Sequence, residues 1–228
     1  FSVEQSSLLK IWLWTLLISL ISLILVGGWT RLTDSGLSIV EWKPLTGMIP
    51  PFSSEGWIVE FEKYKSIPEF KLVNFAITMD EFKFIYWWEW GHRQLARFIG
   101  LVWFLGFLIL WITKQIPKRW TFYFFGIGLL GALQAFLGWW MVSSGLDGQV
   151  VDVFSYRLAI HLTMAFIILA LIFWAILFHS ENSETIFESR RHRNKFSVNI
   201  LTGLGVLCYV QLALGALVAG IDLSLIHI

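Results

Sequence analysis

The sequence predicts an all-α, polytopic membrane helix bundle: a four-helix half plus a fifth span, with a long outer loop between spans one and two. Three observations predict it. Hydrophobic residues make up 57% of the 228 and charged residues only 14%, a balance too greasy for a soluble domain of this size. The apolar residues gather into five stretches of roughly twenty, the length that crosses a hydrocarbon core. The short connections alternate in basic charge, as they do when successive loops lie on opposite sides of a bilayer. The net charge of +1 gives no bulk electrostatic argument for nucleic acid. No glycine-rich phosphate loop, serine–histidine–acid order or Cys/His zinc spacing is present. The single cysteine, Cys208, excludes an internal disulfide and a thiolate cluster, and its apolar surroundings predict a buried thiol.

The first span covers residues 11–29 and ends in Gly27-Gly28-Trp29-Thr30-Arg31, where a glycine pair lets the helix stop or a neighbouring backbone approach. The chain begins at Phe1 rather than Met, so a preceding segment is expected, and no cleavable signal pattern is visible. The outer loop, residues 30–78, is rich in turn signals: Asp34-Ser35-Gly36, Lys43-Pro44, Gly47, Pro50-Pro51 and Pro68. Within it Trp57, Ile58, Phe61 and Tyr64 follow helical spacing and predict a short amphipathic helix lying on the membrane or over a site. Thr78-Met79-Asp80-Glu81 reads as a capping box, opening a helix that runs to Ile112.

A tight basic turn follows, with Lys114, Pro117, Lys118 and Arg119. The third span is residues 120–142, holding Gln134 and Gly138. A second outer loop, residues 143–156, carries Asp147-Gly148 as a turn signal. The fourth span is residues 158–178, with His161 in its first turn and His179 beyond its end. Residues 179–196 form an inner loop with Arg190, Arg191, Arg193 and Lys195, and the fifth span covers residues 196–219. The basic connections are expected on the cytoplasmic or equivalent side. A weak repeat links the odd spans: Gln134-Ala135-Phe136-Leu137-Gly138 matches Gln211-Leu212-Ala213-Leu214-Gly215 as Gln-x-x-Leu-Gly.

The densest chemistry is Glu89-Trp90-Gly91-His92-Arg93-Gln94-Leu95-Ala96-Arg97, an ionisable block heading an apolar run. Hydrocarbon tolerates such groups poorly, so they mark a candidate site. At about 100° per residue, Glu89, His92, Arg93, Ala96 and Gly100 share one helix face. His92 and His161 head different spans from the same side, at matched depth. Two such imidazoles are what axial ligation of haem iron requires; a pair of structural hydrogen-bonding residues is the plainer reading. Glu89 is a candidate proton acceptor or water-orienting carboxylate, or an ion-pair partner of Arg93 four residues on. Arg93 and Arg97 either hold haem propionates or snorkel to the interface; Arg31 and Lys43 are weaker propionate candidates. The small-residue steps Ala96-x-x-x-Gly100 and His161-x-x-x-Ala165 leave room for a ligand or for close helix packing. His179, His192 and His227 have no partner at their depth. Trp87, Trp88, Trp90, Trp139 and Trp140 form an aromatic belt.

These residues resemble haem A synthase, in its proteobacterial and mitochondrial branch. The resemblance is carried by Gly27-Gly28-Trp29-Thr30-Arg31-Leu32-Thr33-Asp34-Ser35-Gly36-Leu37-Ser38 and by Glu41-Trp42-Lys43-Pro44-Leu45-Thr46-Gly47-Met48-Ile49-Pro50-Pro51. It is carried further by Glu89-Trp90-Gly91-His92-Arg93 as Glu-x-x-His-Arg, and by Tyr156-Arg157-Leu158-Ala159-Ile160-His161-Leu162. It implies an enzyme that oxidises the C8 methyl of haem O to a formyl, making haem A for cytochrome oxidase. It implies eight spans in two four-helix halves, each with a histidine pair. Glu89, His92 and His161 then belong to the half that takes the haem O substrate, with a haem b cofactor expected in the other. The reading divides the chain into residues 1–178, a four-helix haem-binding half, the inner loop 179–196, and a fifth span, 197–228, that opens the second half. After Gly220 the sequence departs from the family, so a truncated or frame-shifted product is expected, with His227 no replacement ligand. The implied partners are haem O, the lipid bilayer, haem O synthase, an unidentified electron acceptor and a second copy of the chain. The implied location is the bacterial inner membrane, or the mitochondrial inner membrane in a eukaryote. The alternative is a non-catalytic bis-histidine haem b protein that only transfers electrons.

Overall fold

The computed structural model describes residues 6–44, 46–146, 150–180, 188 and 194–221. Among them are seven α-helices and no strand. They are α1 (Ser7–Leu32), α2 (Ser54–Lys65), α3 (Pro68–Leu72), α4 (Met79–Ile112), α5 (Lys118–Leu146), α6 (Ser155–Ser180) and α7 (Lys195–Ala219). Five of them, α1, α4, α5, α6 and α7, are long and apolar enough to cross a membrane. The chain is therefore a multi-pass membrane bundle, as its composition predicts. The turn at Asp147-Gly148, the inner-loop residues Arg190, Arg191, His192 and Arg193, and His227 lie outside the described residues.

Helices α1, α4, α5 and α6 close a ring: α1 packs on α4 and α6, and α5 packs on α6 and, least extensively, on α4. Helix α7 lies outside the ring against α6. The ends alternate as expected. The Ser6 hydroxyl meets the Gln115 side chain, so the start of α1 sits beside the α4–α5 turn. At the other end Arg31 pairs with Asp152 at 3.0 Å, joining the end of α1 to the α5–α6 loop.

Local chemistry sets the helix ends. The Gly27-Gly28 pair does not stop α1, which runs on to Leu32. It ends where Asp34 takes a left-handed φ of 47°, Asp34 N–H donates to Arg31 O and Ser35 N–H to Thr30 O. That is a Schellman cap, and Asp tolerates it because its short polar side chain eases the left-handed region. Lys114, at φ 56°, closes α4 the same way, with Gln115 N–H on Leu110 O at 2.8 Å. The capping box at Thr78 forms in both directions. The Thr78 N–H donates to Glu81 Oε2 at 2.8 Å, and the Glu81 N–H donates to Thr78 Oγ1.

Two features were not foreseen, and two expectations need correction. Helix α3 was not anticipated; Pro68 at its first turn pre-sets the helical φ. Ile58 of α2 is exposed, because Phe61 and Tyr64 are the side chains that turn into the core. His179 lies within α6, buried against Trp120 and Phe124, not in a loop. Cys208 is exposed, since α7 meets its neighbour along only one face.

Without a hydrophobic drive between helices in lipid, packing and hydrogen bonds to backbone carbonyls hold the ring. The Trp12 indole N–H donates to Val102 O at 3.0 Å, Trp103 to Phe124 O at 3.3 Å, and the Tyr123 hydroxyl to Leu171 O at 2.8 Å. Gly106 and Gly128 make room for those two indoles, because an added Cβ would overlap the Trp12 and Trp103 rings. The buried side chains form two clusters. The inner one gathers Leu13, Leu16, Trp120, Phe124, Ile172 and their neighbours. The outer one sits under the loop, with Tyr64, Ile67, Phe82, Ile85 and Tyr86. Between them residues 91–98 of α4 and 131–140 of α5 join neither cluster, and the buried positions of α6 at that level are Ala159 and Ala165.

Candidate functional site

The two histidines lie in this thin middle zone. His92 comes from the fourth turn of α4 and lies against α1 at Gly27, where an added Cβ would meet its Cε1 at 2.9 Å. His161, in the second turn of α6, lies against α5 at Gly138, where an added Cβ would meet its Cε1 at 3.0 Å. Each odd helix thus supplies a glycine on which an even helix rests its imidazole. Gln134, one turn before Gly138, donates to His161 O at 2.8 Å and ties α5 to α6 at this height. The two rings are within electrostatic reach of one another. In both rings Nδ1 is buried on the side of the neighbouring helix, His92 meeting the Leu23 backbone one turn before Gly27, and Oε1 of Gln134 is buried without a hydrogen-bond partner. The two rings come to one level from different helices, the arrangement that two imidazoles sharing one ligand require.

Glu89 is buried, and its carboxylate is fully engaged. Oε2 accepts from the Ser38 hydroxyl and the Ile39 N–H, both at 2.7 Å, and Oε1 accepts from Arg93 at 2.5 Å. The ion pair to Arg93 foreseen from spacing is present, and the outer loop closes over it. Arg93 also donates to Ile39 O and Glu41 O. Gln94 donates to Gly47 O and Met48 O, and Arg97 to Lys43 O and Pro44 O. Glu89, Arg93, Gln94 and Arg97 therefore clamp loop residues 38–48 onto the head of α4. Arg97 retains a buried, unpartnered Nη1. Arg31 is held by Asp34 and Asp152 and donates to Ala219 O at 3.1 Å. Lys43 pairs with Glu41 at 2.6 Å.

The loop forms a lid. Trp57 of α2 packs edge-on against Phe82, Tyr86 and Trp87 of α4. Beneath α2, Tyr64 donates to Glu69 Oε1, and Asn74 donates to both. Burial pushes the Glu69 carboxyl up to about 8, with the Tyr64 hydrogen bond opposing and the Glu89, Asp152 and Asp34 charges adding to the rise. Glu41 is held below the usual carboxylate range by hydrogen bonds from Lys43 and Lys63.

Beneath the histidines, Gly100 faces open space, since an added Cβ there would meet nothing within 4 Å. The Ala96–Gly100 step is therefore not a seam for a neighbouring helix in this bundle. Among the described residues no group of three or more His, Cys, Asp or Glu side chains could hold a bare metal ion. Two imidazoles suit a metal whose remaining ligands come with it, as in a porphyrin.

The sequence matches the family model for cytochrome oxidase assembly proteins (COX15-CtaA) over residues 10–227. The chain belongs to that family. Curated members with similar sequence include the "Heme A synthase" of Dinoroseobacter shibae, 53% identical over 93% of this chain and 56% of that protein. Those of Cereibacter sphaeroides and Paracoccus denitrificans are 49% and 50% identical, each over 94% of this chain and 55% and 56% of their own length. The chain spans about half the length of these family members. No solved structure matches it.

Spacing alone brought out Glu89, His92, Arg93, Arg97 and His161. It missed the roles of Gly27, Gly138, Gln134 and Ser38. Gln134 and Gly138 are the matched residues of the Gln-x-x-Leu-Gly repeat, which was the available signal. Their counterparts on α7 are exposed, and an added Cβ on Gly215 would meet nothing within 4 Å.

Proposed function

We propose that the protein is the haem-binding half of a haem A synthase, which oxidises the C8 methyl of haem O to a formyl group for cytochrome oxidase. The observation that carries this is the pair of imidazoles on α4 and α6, each seated on a glycine of the neighbouring helix and within electrostatic reach of the other. The name "Heme A synthase" carried by relatives about half identical supports it. His92 and His161 would hold the iron of the bound substrate. The bound haem supplies the redox-active iron and the methyl group to be oxidised. Converting methyl to formyl takes up a water oxygen and releases protons and electrons in equal number. Glu89, one turn before His92, receives or orients those protons, and the Arg93 guanidinium beside it stabilises the carboxylate between transfers. Arg97, through its free Nη1, is the propionate holder among the candidates; Arg93 and Arg31 serve mainly to fix the loop. A haem b held outside this four-helix unit would take up those electrons and pass them to a further acceptor. The protein works in the bacterial inner membrane, beside haem O synthase.

A specific observation favours one rival. Every oxygen of Glu89 has a structural partner, as expected of a bis-histidine haem b electron-transfer protein without bond-making chemistry. Haem extracted from the intact protein, produced in cells that make haem O, separates the two. The proposal expects haem O and haem A, with both lost in His92→Ala and His161→Ala. Haem b alone, undisturbed by either substitution, sinks it.

A further inference from the structure

The loop between α1 and α2 carries an apolar surface that neither the bundle nor the histidine pair uses. From Trp42 to Ser54 the only charged side chain is Lys43. Phe52 is 84% exposed and Ile49 70%, with Trp42 and Met48 about half exposed beside them. Contiguous apolar exposure of this kind marks a contact surface.

The height of this surface is set by α4. Gln94 holds the carbonyls of Gly47 and Met48, and Arg97 those of Lys43 and Pro44. The next residues down α4, Phe98 and Leu101, are exposed and begin its apolar run. The surface is therefore continuous with the lipid-facing side of a spanning helix. Its backbone also suits a poorly hydrated setting. Pro50 and Pro51 have no N–H, Gly47 N–H donates to Lys43 O, and Ile49 N–H to Thr46 O. Few donors are left asking for water.

We propose that residues 48–52, with Trp42 beside them, lie in the interfacial layer of the bilayer leaflet at the His92 end of α4, as an apolar strap anchoring the lid to lipid. Trp42 sits at headgroup level, as tryptophans do. Residues 48–52 carry no carboxylate, and Glu41 beside Trp42 is neutralised by Lys43 and Lys63.

The test places a bimane fluorophore on Phe52→Cys or Ile49→Cys in a Cys208→Ser background. The intact protein is held in phosphatidylcholine–phosphatidylglycerol vesicles. Glu62→Cys on the exposed side of α2 is the reference. Neither Phe52 nor Ile49 is packed, so the substitutions leave the core untouched. The expected result is loss of fluorescence at 52 and 49 when the acyl chains are brominated, with little loss to aqueous iodide, and the reverse at 62. Absence of dimming by brominated lipid at 52 and 49 overturns the proposal whatever iodide shows. Protection from both quenchers would identify a protein partner or a second copy as the occupant.

Discussion

Gly138 and Gly27 decide how deeply the imidazoles sit. An alanine at Gly138 places a methyl 3.0 Å from His161 Cε1, so the ring must shift. Overpacking of this size costs about 1–3 kcal/mol. Haem retention by Gly138→Ala should weaken by roughly tenfold, about 1.4 kcal/mol, in an absorbance titration. The helix content should stay unchanged. Glu89→Gln keeps the shape but loses the charge facing Arg93; haem should still bind while haem A yield falls. A normal yield would remove Glu89 from the chemistry. Glu69 makes a pH prediction. Its carboxyl ionises near the ordinary 4.5 in the unfolded chain but at about 8 in the folded one. The folded state therefore holds the extra proton between those values. The stability this contributes is complete below about pH 4.5, declines as pH rises, and is gone above about pH 8. Glu69→Gln should flatten that decline, worth on the order of 5 kcal/mol across the full shift, read by hydrogen exchange of α2 and α3 across pH. The i, i+4 pair of Glu89 and Arg93 was legible from spacing because both partners lie on one helix. Gly27 and Gly138 were not, because their role depends on a ring delivered by a different helix.

Among the helices, the ends read well and the faces less so. The capping box at Thr78 is written in adjacent residues and forms as read. Thr78→Ala should cost about 1 kcal/mol, seen as faster hydrogen exchange in the first turn of α4. The extension of α1 past Gly27-Gly28 was hidden, because tertiary contact overrides the weak stop signal of a glycine pair. The interlocking of Trp12 with Gly106 and of Trp103 with Gly128 was hidden as well. Substituting alanine at either glycine must displace an indole that also donates a hydrogen bond. Thermal unfolding should reveal a loss of about 1–3 kcal/mol for each.

At the level of the molecule, the five spans and their alternation followed from composition and loop charge. The family followed from polar loop residues such as Ser35 and Ser38, whose burial now explains them. The position of α7 outside the ring was not legible, since an apolar helix does not declare which neighbour it meets. A ligand gripped by both α4 and α6 should stabilise the whole bundle, by about 4 kcal/mol at a thousandfold excess over its dissociation constant. Hydrogen exchange should slow most on binding along the middle of α4 and α6. The reason lies in where the packing is. The inner cluster and the lid act like hoops around the two ends of a barrel, while the short stretch of stave between them joins neither. Such a body can take in a broad, flat guest at its waist and let it go again, with neither hoop having to open.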